Sequence, residues 1–389
     1  MNYVSEIQSY VHDHREEIIH FWETLVAIDS GADCINGSQM VAEQMQHLLM
    51  PVGFHSKIRK QKNGSSMLIS EYGDISHPFV LLIGHMDTVF PQGESLKRPF
   101  HIENRRVFGP GVLDMKGGLV IMAYAIKAWI STGHPILPIR IVLAGDEEIN
   151  HRGSNAPDVF QHQSKGAVCC FNFETGFTDR GIVVQRKGGY QCRIETFGKA
   201  CHVGNDPENG RSAVLELAYK IIEIEQIGNK KNRCHVYADV ISGGTVVNAV
   251  PDHASVFCDF RYDDPEQLEE VKKCLYQITQ RQHVEGVTGK LSEYSSMAPM
   301  KQLPKTQSLF EMAAAVSQKF DLPMPYPKYC GGGSDSAYTT SADIPTLCAM
   351  GVLGARNHTI EEYAELDSLF ERCCLMAGLL EKLSKNTKI

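Results

Sequence analysis

Phe79-Val80-Leu81-Leu82-Ile83 runs without interruption into Gly84-His85-Met86-Asp87-Thr88. Five consecutive apolar residues carry neither a helical nor an alternating period, which is the pattern of a short strand buried on both faces. A histidine and an aspartate then stand at its carboxyl end. The pattern recurs along the chain. Ile139-Arg140-Ile141-Val142-Leu143-Ala144 ends at Gly145 and gives way to Asp146-Glu147-Glu148. Ala167-Val168-Cys169-Cys170-Phe171 runs on to Glu174, and Ile344 to Met350 leads past Gly351 and Gly354 to His358. Stretches with apolar residues at helical spacing separate these runs: residues 3–29, with Val4, Ile7, Val11, Ile18, Trp22 and Leu25; Ser38 to Met50; and a segment starting near Asp114 and running through Leu119 to Ile130. Buried strands alternating with helices predict an α/β catalytic domain around a mostly parallel sheet. In such sheets functional groups gather at the carboxyl ends of strands, so four ends carrying histidine or acid would meet in one place.

Between Arg186 and Pro299 the texture changes. Tyr190, Cys192, Ile194 and Thr196 alternate with polar residues, and an amphipathic helix is expected from about Gly210 to Ile227. Two strands follow, Val236 to Ile241 and Ala254 to Tyr262, parted by Gly243-Gly244. A helix over Pro265 to Gln282, opened by Asp263-Asp264, and a strand around Leu291 to Tyr294 complete a β-α-β-β-α-β order, the ferredoxin-like α+β unit. Such a unit is self-contained. The expected organisation is therefore a catalytic domain in two parts, residues 1–185 and 300–389, with residues 186–299 inserted as a second domain.

Composition narrows the function classes. The 389 residues are 43% hydrophobic, enough for a real core. The net charge of -8 argues against nucleic acid as a partner, because binding phosphate needs a basic surface. The twelve cysteines include the adjacent pairs Cys169-Cys170 and Cys373-Cys374 but no CxxC spacing, so they read as buried reduced thiols rather than a structural zinc ribbon. The start, MNYVSEIQSYVHDHREE, lacks a basic segment followed by an apolar one, and no apolar run reaches the roughly 20 residues of a membrane span. The expected location is the cytoplasm, with no membrane partner.

The acids and histidines carry the chemistry. Asp87, two residues after His85, would hold the far ring nitrogen of a metal-ligating imidazole; the alternative is a solvated loop. Asp114, in Gly109-Pro110-Gly111-Val112-Leu113-Asp114-Met115-Lys116-Gly117-Gly118, is either a helix N-cap or a carboxylate between cations, and both roles are compatible. Adjacent Glu147 and Glu148 repel each other at the end of an apolar strand unless positive charge is near; the alternative is a surface loop that solvates them, and with a metal present one ligates it and the other handles protons. Two histidines and three acids, with no thiolate, suit zinc, cobalt or manganese in a site with open positions, the mark of catalysis.

These words, in this order, resemble the dinuclear zinc aminoacylase and carboxypeptidase superfamily over nearly the whole chain, and most strongly the glutamate carboxypeptidases of the carboxypeptidase G type. The match is carried by Gly84-His85-Met86-Asp87-Thr88-Val89, Asp114-Met115-Lys116-Gly117-Gly118, Asp146-Glu147-Glu148 and Phe173-Glu174. It continues in Ala200-Cys201-His202-Val203-Gly204, Pro207-Glu208-Asn209-Gly210-Arg211, Gly243-Gly244-Thr245 with Asn248 and Pro251, Gly331-Gly332-Gly333-Ser334-Asp335, and His358 with Glu362.

The resemblance implies two zinc ions, with cobalt or manganese as substitutes. Asp114 would bridge them, His85 and Glu174 would complete one, and Glu148 and His358 the other. Asp87 would orient His85, and Glu147 would be the general base. The inserted domain would be a lid that also makes a homodimer, presenting His202 to the partner's site as an oxyanion donor. Asn248 and Arg261 would contact substrate; the alternative for Arg261 is a strand-face salt bridge. Gly332 and Gly333 would hold the substrate's terminal carboxylate in a glycine-rich turn before a helix starting near Asp335.

Two departures stand out. Asn150 and His151 occupy a stretch where the family usually has a glycine and a small residue, and Ser212 stands where it often has asparagine. Neither removes a proposed ligand. The expected activity is hydrolysis of an amide bond beside a free C-terminal carboxylate, on a small molecule or short peptide, releasing an amino acid such as glutamate. A deacylase of N-acyl amino acids shares all the machinery. A non-catalytic binding protein on the same fold is the remote third reading, disfavoured because every proposed ligand and Glu147 are present.

Overall fold

The computed structural model describes residues 3–34, 36–133, 137–229 and 234–385. The chain divides into two compact units: Met1–Gln185 with Met300–Tyr329 and Ser334–Ile389, and Arg186–Pro299 with Cys330–Gly333. The first is a mixed α/β unit, the second an inserted α+β unit. The short Cys330–Gly333 segment groups with the inserted unit because Arg186 Nη1 donates to the carbonyls of Gly332 and Gly333, both at 3.2 Å, and the Lys187 amide donates to Cys330 O.

In the first unit the sheet runs in the order His55–Lys60, Ser66–Tyr72, Ile139–Ala144, Phe79–His85, Ala167–Asn172, Thr346–Leu347. The last four are mutually parallel and the first two pair antiparallel at one edge. The three long apolar runs are therefore neighbours, with the central strand Phe79–His85 buried at every residue. The fourth run forms a strand only at Thr346–Leu347. The long first helix is two, Tyr3–Asp13 and Arg15–Val26, broken at His14.

Helix Gly117–Ser131 is apolar on all sides and buried from Gly117 to Trp129 except at Lys127. Helix Leu366–Lys385 packs along it. A helix hydrophobic all round belongs inside a core, and truncating one of its large residues, Leu119→Ala for instance, costs about 2–5 kcal/mol. Its start differs from expectation. Asp114 is not its N-cap; residues 112–116 form an irregular turn in which Asp114 has φ -114° and ψ 96°, and regular helix begins at Gly117. Gly118 lets the helix seat against the strand end that presents Glu174, because a Cβ there would lie 2.0 Å from the Phe173 carbonyl oxygen.

The inserted unit has the expected order with one short strand added. Its antiparallel sheet runs Gly228–Asn229, Cys234–Gly243, His253–Tyr262, Gly188–Phe197, Thr288–Met297. Helices Ala213–Ile224 and Pro265–Gln280 cover it, and Ile194, Val256, Phe260, Leu217 and Leu275 fill the core between. Asp263 and Asp264 open the second helix as expected, their amides bonded to Gln267 Oε1 at 3.0 and 3.3 Å.

Candidate metal centre

His85 ends the central strand and is buried, as are Asp114 and Glu174. Its Nε2 lies 3.2 Å from Asp114 Oδ1 and 3.6 Å from Glu174 Oε1. The other oxygen of Asp114 lies 3.2 Å from His358 Nε2, which in turn is 3.2 Å from Glu148 Oε2. Two donor groups result, His85-Asp114-Glu174 and Asp114-Glu148-His358, each with its ligand atoms within 4.8 Å of one another. Asp114 belongs to both and turns one oxygen to each histidine.

This donor set fits divalent cations. Four acids, counting Glu147, crowd around two imidazoles. Glu148 Oε1 is buried with no hydrogen-bond partner among the described residues, a costly state for a carboxylate unless a cation meets it. The protonation pattern points the same way. Hydrogen bonds to Asp114 and Glu148 push His358 up to about 11. Burial pushes Glu148 up to about 7, with Asp114 adding to it. Burial, reinforced by Glu174, pushes Glu147 well above the carboxylate range. The site gathers protons where positive charge is wanted. Nitrogen and oxygen donors without thiolate are those of zinc, cobalt or manganese.

Asp87 does more than expected. Its backbone carbonyl, not its carboxylate, accepts from His85 Nδ1 at 3.0 Å, and the carboxylate stands 3.5 Å away. The carboxylate oxygens instead accept the amides of Glu147 at 3.1 Å and Glu148 at 2.9 Å. One residue thus fixes both the imidazole and the turn carrying the acid pair. Glu147 itself is partly buried, and no hydrogen bond ties its carboxyl among the described residues.

Three supporting residues had been given no role from sequence: Glu362, quoted there only as part of the matching pattern, His151, noted only as a departure, and Asn357. Glu362 accepts the amides of Gly111, Leu113 and Asp114 at 3.1, 2.8 and 2.9 Å and so holds the irregular turn that presents Asp114. Asn357 donates to Asp114 Oδ2 at 3.0 Å. His151 is buried between Asp146 Oδ1 at 2.8 Å and Asp335 Oδ1 at 2.6 Å. The two carboxylates outweigh the cost of burial and hold it charged, far above the ordinary histidine value. Asn150 and His151 both sit in the left-handed region, φ 52° and 54°, which explains why glycine would be the easier residue there. The ion pairs of His151 keep that turn in place. Glu362 was part of the matching pattern with His358; for Asn357 the one signal is that it directly precedes His358 in sequence.

In the inserted unit, His202 is exposed, and its Nδ1 accepts the Gly204 amide at 3.1 Å. Its segment is bridged to Ala249, and Val203 N bonds Asn248 O at 3.2 Å, so His202 and Asn248 are neighbours. Arg261 forks onto Asp259 of its own strand, Nε to Oδ1 at 2.7 Å and Nη2 to Oδ2 at 2.9 Å. Gly332 and Gly333 have their carbonyls taken by Arg186. The helix after them, Ser336–Ser341, is only six residues long, too short for a strong dipole.

Comparison with known proteins bears on this geometry. The model of peptidase family M20/M25/M40 matches residues 81–382. Carboxypeptidase G2 of Pseudomonas sp. (strain RS-16) is 24% identical over 378 residues, covering 95% of this chain and 90% of that protein. Succinyl-diaminopimelate desuccinylase of Ehrlichia canis (strain Jake) is 24% identical over 314 residues, covering 76% and 79%. Among solved structures, the M20 family metallo-carboxypeptidase Sso-CP2 of Sulfolobus solfataricus superposes with a TM-score of 0.79 at 17% identity, over 95% of this chain and 99% of that one. Among the described residues no helix is long and apolar enough to cross a membrane.

Proposed function

This chain belongs to peptidase family M20/M25/M40, and on that premise we propose that it is a zinc-dependent carboxypeptidase-like amidohydrolase, cleaving an amide bond beside a free C-terminal carboxylate and releasing an amino acid, glutamate first among them. The observation that carries the reading is the pair of donor groups sharing Asp114, with Glu147 beside them on the turn held by Asp87. His85, Asp114 and Glu174 would hold one zinc ion, and Asp114, Glu148 and His358 a second, with cobalt or manganese as substitutes. Bound there, the ions would polarise the scissile carbonyl and lower the pKa of water. Glu147 takes a proton from the attacking water on its carboxyl and returns it to the leaving nitrogen.

Asn248, Arg261 and the amides of Gly332 and Gly333 are assigned to the substrate, the last two to its terminal carboxylate. For Arg261 this requires release from Asp259. His202 supplies an oxyanion donor to the other subunit of a homodimer formed through the inserted unit. Two features of that unit support a second copy as partner. Helix Ala213–Ile224 exposes Val214, Leu215, Tyr219 and Ile222, and strand Cys234–Gly243 exposes Tyr237, Val240 and Ile241. On its outer side the Val236 amide donates to Ile227 O and the Ala238 amide to Glu225 Oε1; beyond Ala238 no strand pairs with that side among the described residues, leaving an open edge.

The test is a substrate panel on zinc-loaded protein: peptides ending in Glu, Asp or an apolar residue against N-acyl amino acids. Preference for a C-terminal acidic residue supports the carboxypeptidase reading. Preference for acyl groups regardless of the released amino acid would replace it by the deacylase reading, which the desuccinylases among the relatives favour. No turnover of any member would overturn both.

A further inference from the structure

Away from the metal centre, the first unit keeps an arginine in an unusual state. Arg372, on helix Leu366–Lys385, is only 6% exposed. Its guanidinium makes no hydrogen bond or ion pair among the described residues, and Nη1 is fully enclosed with no partner. Arginines that are this buried are normally forked onto a carboxylate or a set of carbonyls, because an uncompensated buried charge is strongly destabilising. Here the surroundings add positive charge. Arg180, in the turn after Gly176–Phe177, lines the same cleft and is paired with Glu371 Oε2 at 2.6 Å. Two arginines and one glutamate leave one positive charge unbalanced. Asp179, the next acid along, is already engaged by Lys328 and by the Gly181 amide. Pro323 and Pro325 form another wall of the cleft, and prolines bring no N–H to compete for an acceptor. The free space is about 20 Å³, room for one water-sized particle.

We propose that Arg372 and Arg180 form a binding site for one small monovalent anion, either a halide or the carboxylate of a small acid. A single negative charge in the cleft that Arg372 and Arg180 line balances the cluster. A bulky anion does not fit the cleft, and a doubly charged one would leave the cluster negative. The depression of Arg372 to about 10, caused by burial and then by Arg180, is the electrostatic counterpart of the same missing partner. The site is independent of the metal centre and of the hydrolase reading, since none of its residues belongs to either.

The experiment uses the full metal-loaded chain and reads thermal unfolding at constant ionic strength. Sodium gluconate, too bulky for the cleft, is replaced stepwise by sodium chloride in one series and by sodium formate in another. The expected result is a saturating rise in Tm of roughly 2–5 °C in at least one series. A response to chloride alone assigns a halide; a response to formate alone assigns a carboxylate. Arg372→Met should abolish the response and, having lost a buried unpaired charge, melt no lower than the parent in gluconate. Arg180→Gln, at a more exposed position, should weaken the anion about 10-fold and decides the matter where Arg372→Met does not fold. A flat Tm in both series, or an undiminished response in these variants, would overturn the proposal.

Discussion

Each unit of this chain buries a cluster of charge, and the two clusters are balanced differently. In the inserted unit, Lys220 and Glu216 face each other one turn apart on helix Ala213–Ile224 at 2.8 Å. Lys220 Nζ also donates to the carbonyls of Ile278, Thr279 and Arg281, where helix Pro265–Gln280 ends and leaves acceptors unsatisfied. Glu216 Oε2 accepts the amides of His283 and Val284 at 2.8 and 2.6 Å. Charge is matched one to one, and the pair ties the second helix and the following loop to the first. At the centre of the other unit, Asp114, Glu147, Glu148 and Glu174 crowd around two histidines, and among the described residues neither Glu148 Oε1 nor the Glu147 carboxyl has a hydrogen-bond partner. A balanced buried cluster holds a fold together; an unbalanced one is waiting for ligands.

That contrast breaks most sharply at Glu147 and Glu148. Glu147→Gln should retain metal and lose about 10²- to 10⁴-fold in kcat, whereas Glu148→Gln should lose metal, both read by metal analysis beside steady-state kinetics. Equal metal loss in both, with near-normal turnover in Glu147→Gln, would remove the distinction drawn between the two acids.

The balanced cluster should fail in the opposite way. Lys220→Met leaves Glu216 buried without its cation, and urea unfolding should show a loss of about 3–5 kcal/mol, while the metal content of the folded fraction stays unchanged. If stability were unaffected, Lys220 would not be what joins the two helices of the inserted unit.

A third substitution tests whether the inserted unit serves chemistry as well as structure. His202→Ala should cost about 3 kcal/mol of transition-state stabilisation with metal binding intact. Mixing it with Glu147→Gln should restore activity through the one site of a mixed dimer that carries neither lesion. A mixture that stays inactive would place His202 in its own subunit's site or outside catalysis.

The smallest effect is on pH dependence. Although burial opposes it, hydrogen bonding to Lys220 and the two amides holds Glu216 below the ordinary glutamate value. A depressed folded-state pKa contributes stability that is complete above the unfolded value, about 4.3, and is lost as pH falls through the folded one. The inserted unit should therefore weaken on acidification below about pH 4, and Glu216→Gln should flatten that slope in unfolding curves recorded across the acid range. An unchanged slope would show that Glu216 gains nothing from its partners.

The site was legible to different depths in different places. His85, Glu148, Glu174 and His358 stood out because each follows an apolar run at a strand end, a signal contained in a few consecutive residues. Asp114 stood out by its glycine-rich surroundings, but its irregular turn did not, since it is imposed by Glu362, 248 residues away. His151 was visible only as a departure, and its meaning lies in Asp335, 184 residues away. Arg372 reads in sequence as an ordinary charged residue near the end of the chain.

Local pattern pointed to most of the strands and helices, to a change of texture at Arg186, and to the acids and histidines that the structure gathers into two donor groups. The cause is that burial period and turn chemistry act over a few residues and leave their mark there. Tertiary structure alone decided the pairings: Asp87 gripping the amides of Glu147 and Glu148 across 60 residues, Arg261 turned onto Asp259, and Arg372 left without a partner among the described residues. Such pairings depend on which strand ends lie side by side, and the strand order is set by the packing of the whole sheet and its helices, not by any one stretch of chain.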